Sequence, residues 1–220
     1  MTYNIDIYDN HLILISNNCR YLIDTGSPIT ISNSEKIEIF NTNYKTSTNY
    51  LGLTVEGLSQ SLGTHIDALI GGDVLKNHIF KIDFKNKLFI ILDKVDANNQ
   101  SIDIDLFMDI PIIEIEINGN SIRTFLDTGA KISYINSTYV ENLQPIDNRE
   151  DFYPTIGAFE TDIYKFEIIF NDSKMKFTFG VLPTQLEQTL SFGNTNGIIG
   201  NDMFLYYSMT FDYKNKKIYF

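Results

Sequence analysis

Two aspartates, Asp24 and Asp127, each open the tripeptide Asp-Thr-Gly, and each stands at the end of an apolar run: Tyr21-Leu22-Ile23 before the first, Phe125-Leu126 before the second. A single Asp-Thr-Gly says little, because aspartate and glycine end many strands in turns for purely local reasons. The same tripeptide in two matching settings is a repeated device. If a fold brings the two side chains together, like charges a few ångströms apart cannot both ionise easily, and the pair holds one proton between them. One carboxyl then serves as base and the other as acid.

The repeat extends past the tripeptides. Leu69-Ile70-Gly71-Gly72-Asp73 in the first half is matched by Ile198-Ile199-Gly200-Asn201-Asp202 in the second. Asp83-Phe84-Lys85-Asn86-Lys87 is matched by Asp212-Tyr213-Lys214-Asn215-Lys216, and twelve positions separate Gly71 from Asp83 and Gly200 from Asp212 alike. Equal spacing predicts equal structure. A short helix is expected after each Ile-Gly block, over 73–77 and 202–207, with an aspartate favourable in its first turn.

The elements that must position the aspartates are hairpins. Ile113 to Ile117 alternates, Asn118-Gly119 offers a tight turn, and Ile122-Arg123-Thr124-Phe125-Leu126 returns into Asp127. His11 to Ile15, the polar turn Ser16-Asn17-Asn18 and Arg20 to Ile23 repeat the pattern into Asp24. The polar stretch from Asp93 to Ser101 has no periodicity and reads as a connection between halves.

With these motifs in place, the chain resembles the aspartic proteases, the pepsin-like and retropepsin-like enzymes in which each of two lobes supplies one catalytic aspartate. The resemblance covers nearly the whole chain, and Phe204 to Asp212 looks like the end of a pepsin. It implies an all-β, bilobal acid-protease fold of two pseudo-symmetric retropepsin-like β-barrel lobes with short helices. The expected lobes are 1–95, carrying Asp24, and 101–220, carrying Asp127, with 96–100 as linker. The implied activity is that of an endopeptidase: one aspartate removes a proton from a water attacking the peptide carbonyl, and the other donates to the forming oxyanion. Carried over by motif, Thr25 and Thr128 interlock the loops, and Gly26 and Gly129 let them approach closely. Ser27 and Ala130 complete the loops, while Ile70, Gly71, Ile199 and Gly200 pack behind them. A noncatalytic peptide-binding module that keeps the same fold stands beside this reading, since fold alone does not establish activity.

Two departures from strict repetition carry expectations of their own. Ser27 faces Ala130 across the repeat, and a hydroxyl that bonds the neighbouring carboxylate favours its charged form. Asp24 is accordingly the expected ionised member, at milder acidity than a pepsin. The second departure is length. From Asp24 to Gly71 is 47 positions, whereas Asp127 to Gly200 is 73. The second half therefore has room for a substrate-covering flap, expected around Tyr153, Ile156, Gly157, Ala158 and Phe159 with its tip near Gly157; an ordinary surface hairpin is the other reading of the same stretch. The first-half stretch from Tyr50 to Gly57 reads as a core strand, with a rudimentary flap as the alternative.

Composition excludes several other classes. The net charge of −11 in 220 residues disfavours nucleic acid and anionic membranes, which attract basic surfaces. The single cysteine, Cys19, permits no disulfide within the chain, and with His11, His65 and His78 scattered, no metal site is expected. No organic cofactor is expected either. No basic-then-apolar leader and no long apolar run is visible. The expectation is a cytoplasmic monomer, or a protein exported by a route that reads no amino-terminal signal, acting on a peptide or protein substrate. The many Ile, Phe and Tyr residues favour apolar subsites for an extended peptide.

Overall fold

The structure, a computed structural model, describes residues 1–96, 99–153 and 156–220. The expected linker therefore lies partly outside the described residues, at 97–98, as does the turn of the expected flap, at 154–155.

The chain is built almost entirely from antiparallel strands, and the expected hairpins form. His11–Ser16 pairs with Cys19–Ile23 through a turn in which Asn17 and Asn18 have φ of 48° and 63°. Ile110–Ile117 pairs with Asn120–Leu126 through Asn118 and Gly119, at 52° and 78°. Two successive left-handed residues define the tight turn that matches strand twist, and asparagine and glycine tolerate that region best. Each hairpin delivers its second strand into parallel contact with an Ile-Gly block: Ile23 beside Ile70, Leu126 beside Ile199.

The duplicated closing blocks have a local cause. In each, the aspartate side chain accepts from the asparagine three residues on, Asp83 from the Asn86 N–H and Nδ2 at 3.0 and 2.9 Å, Asp212 from those of Asn215 at 3.0 and 2.7 Å. The following lysines, Lys87 and Lys216, take positive φ. The repeat is therefore turn chemistry, and it sends Ile79–Asp83 back as Leu88–Leu92 and Met209–Asp212 back as Lys217–Tyr219.

These closing strands meet in the middle of the molecule. Ile79–Asp83 pairs antiparallel with Met209–Asp212, flanked on one side by Leu88–Leu92 and Thr2–Tyr8 and on the other by Lys217–Tyr219 and Ser101–Asp103. The result is a sheet shared by both halves with matching strands on either side of its centre. Phe80 pairs with Phe211 there, their rings stacked at 4.8 Å, and Phe84, Phe89, Phe204 and Tyr213 extend one core across the junction.

Each half also has a smaller core of its own. Leu12 and Leu14 face the shared core while Ile13 faces away, into a cluster closed by Val55 and Leu58. Because both sheet faces are covered, the strand reads as a continuous apolar run instead of an alternation. In the second half Leu186 and Leu190 close the equivalent cluster over Ile132 and Ile163. The covering elements are short helices, Val55–Leu62 and Thr184–Leu190. Neither would persist alone in water, but each buried Val or Leu contributes about 1.5–3 kcal/mol.

The first of these helices corrects the reading of Tyr50–Gly57. Tyr50 and Leu53 bridge across a two-residue turn at Leu51 and Gly52, with φ of 51° and 85°. Thr54 then caps the helix, accepting from the Gly57 N–H at 3.2 Å. The turn exposes Leu51, so a core strand is excluded. The short helices expected after the Ile-Gly blocks do form, as Gly72–Leu75 and as a 3-10 turn over Asn201–Leu205.

Candidate active site

Asp24 and Asp127 meet where the two strand-to-loop junctions face each other. A Cβ placed on Gly26 would lie 2.1 to 2.3 Å from the carboxyl atoms of Asp127, and one on Gly129 would lie 2.5 to 2.6 Å from those of Asp24. What the glycines make room for is thus the opposite carboxyl itself. Each loop folds around its own aspartate: the Gly26 and Ser27 N–H groups both donate to Asp24 Oδ1 at 2.9 Å, and the Gly129 N–H donates to Asp127 Oδ1 at 2.7 Å.

The threonines cross between loops. Thr25 Oγ1 donates to the Leu126 carbonyl at 2.7 Å and accepts from the Thr128 N–H at 3.0 Å. Thr128 Oγ1 donates to the Ile23 carbonyl at 2.7 Å and accepts from the Thr25 N–H at 2.9 Å. Both threonines are wholly buried, so every one of these bonds is made away from competing water.

Behind the loops, the Asp24 N–H donates to Ile70 and the Asp127 N–H to Ile199, at 3.0 and 2.9 Å. A Cβ on Gly71 would strike the Ser27 and Ile29 backbone at 2.7 to 2.8 Å, and one on Gly200 the Ala130 carbonyl at 2.4 Å. Sequence reasoning missed three supports here. Thr30 Oγ1 and Ser133 Oγ accept from the N–H groups of Gly71 and Gly200, at 3.0 and 2.9 Å. Each stands six residues past its aspartate, a shared hydroxyl spacing that would have revealed both. Asn201 Nδ2 donates to the carbonyls of Thr128 and Asn10, both at 2.7 Å, and so ties the second loop to the first half's opening turn.

The two carboxyls hydrogen-bond each other. Burial, then the charge of Asp127 and the bond to it, hold Asp24 well above the usual carboxylate range, against the N–H groups of Gly26 and Ser27. Burial raises Asp127 as well, but the Gly129 N–H, the bond from Asp24 and the N–H groups of Ala130 and Gly26 oppose it. Both carboxyls are thus raised, and the pair favours one shared proton over two charges. The expectation drawn from Ser27 loses the hydrogen bond it rested on. Its hydroxyl donates to the Ile29 carbonyl at 2.9 Å, so the neighbouring Asp24 gains only the backbone N–H.

Over the second half's side of the dyad rises a long hairpin. Asp147–Tyr153 pairs with the first part of Gly157–Phe170, in register from Asp147 opposite Ile163 to Tyr153 opposite Gly157. Gly157 has φ of 90°. Near the tip, Phe152, Tyr153 and Ile156 are exposed apolar side chains; Ala158 is exposed, and Phe159 packs back toward Tyr134. Although part of the Tyr153 ring is exposed, its hydroxyl end is desolvated, and that, followed by the charges of Asp127 and Asp24, raises the hydroxyl, with Tyr50 from the first half also in range. In the first half the described residues offer only the four-residue hairpin strands Lys36–Ile39 and Thr42–Lys45 and the Tyr50–Leu53 turn.

Comparison with known proteins finds a family match in the second half. Residues 108–206 match the family of retroviral aspartyl proteases. The solution structure of the simian foamy virus (mac) protease is similar over 41% of this chain and 88% of its own, at 18% identity and a TM-score of 0.32. No curated protein matches the chain. The matched stretch holds Asp127 and its loop, and the internal repeat supplies the counterpart at Asp24. The stretch that is similar to the retroviral aspartyl proteases is therefore 108–206, which carries the second of the two Asp-Thr-Gly loops.

Proposed function

We propose that the protein is an aspartic endopeptidase whose catalytic residues are Asp24 and Asp127. The observation that carries this reading is the meeting of two buried carboxyls, each seated against the other loop's glycine, an arrangement that favours one proton shared between them. A water bound between them loses a proton to the ionised carboxyl as it attacks a peptide carbonyl, and the protonated carboxyl donates to the oxyanion. No covalent intermediate is required. Both carboxyls come from one chain, which supports a monomer as the working unit. The hairpin bearing Tyr153 acts as the flap, excluding water while its apolar tip covers an extended peptide.

The test is cleavage of a diverse peptide library between about pH 3 and pH 7, a window that brackets a shared-proton dyad, with Asp24→Asn and Asp127→Asn alongside and pepstatin added in parallel. Cleavage by the parent that both substitutions abolish is the expected result. Peptide association without cleavage by the folded parent at any pH would replace the enzyme with a binding module.

A further inference from the structure

Lys131 lies four residues past Asp127 and takes no part in the proposed chemistry, yet it stands at a junction of three elements. Its Nζ is 3.1 Å from Asp9 Oδ2, in the first half's opening turn, and 3.9 Å from Asp151 Oδ1, on the flap strand. Its carbonyl accepts from Asn10 Nδ2 at 2.7 Å. Asp151 is the better buried carboxylate, its side chain 14% exposed against 61% for Asp9. Asp151 also accepts from the hydroxyl of Tyr134, a side chain only 3% exposed. Asp151 and Tyr153 are two positions apart on one strand, so they project from the same face. A force that holds Asp151 inward therefore also sets where Tyr153 sits above the aspartates. The matching position after Asp24 is Pro28, which has no charge to offer. The lysine that centres the junction thus stands only in the half that bears the long hairpin.

We infer that Lys131 is a positioning residue: its ammonium, tethered to the first half through Asp9, latches the flap over the cleft by gripping Asp151. This rests on the proposed protease reading for its effect on turnover, but the latch itself is measurable without cleavage. A partly buried pair resists screening better than an exposed one, and local opening of a hairpin responds directly to the loss of such a contact.

The experiment is amide hydrogen exchange on the intact chain, comparing the parent with Lys131→Met, Asp151→Asn, the double variant and Lys131→Arg. In Lys131→Met, amides of 147–153 and 157–163 should exchange about twofold to fivefold faster, the loss expected for an ion pair of this kind. Those of Ile79–Asp83 and Met209–Asp212 should stay as in the parent. The double variant should exchange no faster than the faster single one, and Lys131→Arg should restore protection. In peptide cleavage the same loss should appear as a raised KM rather than a lowered kcat. Unchanged hairpin exchange, equal acceleration in the shared sheet, or additive effects of the two singles would overturn the latch. A parent that cleaves nothing would overturn the protease reading and leave the exchange result to decide the latch.

Discussion

Thr25→Val removes one hydroxyl from the loop junction and leaves nearly the same shape, so no cavity term enters. Two backbone groups lose their partners: the Leu126 carbonyl, which accepts from Thr25 Oγ1, and the Thr128 N–H, which donates to it. Both side chains at the junction are fully buried, so water cannot replace the bonds without opening the loops. A stranded buried group costs about 1–3 kcal/mol, and two give roughly 2–6 kcal/mol out of a total that is typically about 5–15 kcal/mol. In a chain of this size that is a fall in Tm on the order of 5–20 °C. Thr25→Ser keeps the hydroxyl and loses a methyl, at about 1 kcal/mol. Thr128→Val strands a different pair, the Ile23 carbonyl and the Thr25 N–H, so the double variant should cost close to the two singles together. Urea denaturation of the four variants reads all of this. A Thr25→Val protein within about 0.5 kcal/mol of the parent, or no less stable than Thr25→Ser, would refute the assignment of stability to these crossed bonds.

Asp24→Asn should abolish cleavage and also stabilise the fold at neutral pH. A carboxyl whose folded pKa is raised contributes stability that is complete below its unfolded value near 3.8 and is lost as pH rises through the raised one; denaturation midpoints at pH 4 and pH 7 should diverge in favour of the variant, and equal midpoints at pH 7 would contradict the burial of the pair. Gly26→Ala forces a methyl to within 2.1 to 2.3 Å of the Asp127 carboxyl, so cleavage should disappear at a stability cost of about 1–3 kcal/mol; a variant with parental kinetics would show that the carboxyls are not in contact. Gly157→Pro imposes φ near −65° where the hairpin needs 90°, and turnover should fall while the denaturation midpoint stays near that of the parent; unchanged kinetics would remove the hairpin from the mechanism.

Much of the site was legible because the repeat supplied an internal control. The crossing threonines, the close-approach glycines and the Ile-Gly backing all sit at matching positions, and the extra length between Asp127 and Gly200 pointed to the hairpin that carries Tyr153. Where reading failed, a partner distant in sequence or a local competitor decided the outcome. Ser27 found the Ile29 carbonyl two residues away instead of the carboxylate, a choice its type does not reveal. Tyr50–Gly57 has apolar residues that suit a strand, but Gly52 takes a left-handed turn and Thr54 caps a helix whose apolar residues are spent on a small satellite core. The junction at Lys131 joins residues 122 and 20 positions away, a separation at which spacing carries no signal.

The shared sheet has a consequence for how the molecule holds together. Its central seam, Ile79–Asp83 against Met209–Asp212, joins strands from opposite ends of the sequence, and Ser101–Asp103 and Lys217–Tyr219 complete one flank as Thr2–Tyr8 and Leu88–Leu92 complete the other. The peptide link between the halves is thus the least of their attachments. Cut once between residues 96 and 99, the two fragments should stay associated through the seam and should complement each other when expressed as separate chains. Either fragment alone would present an unpaired apolar edge and seek a second copy of itself. In that sense the chain is arranged as two matching units tied end to end, of which the second bears the long hairpin and the first supplies Asp9 beside it.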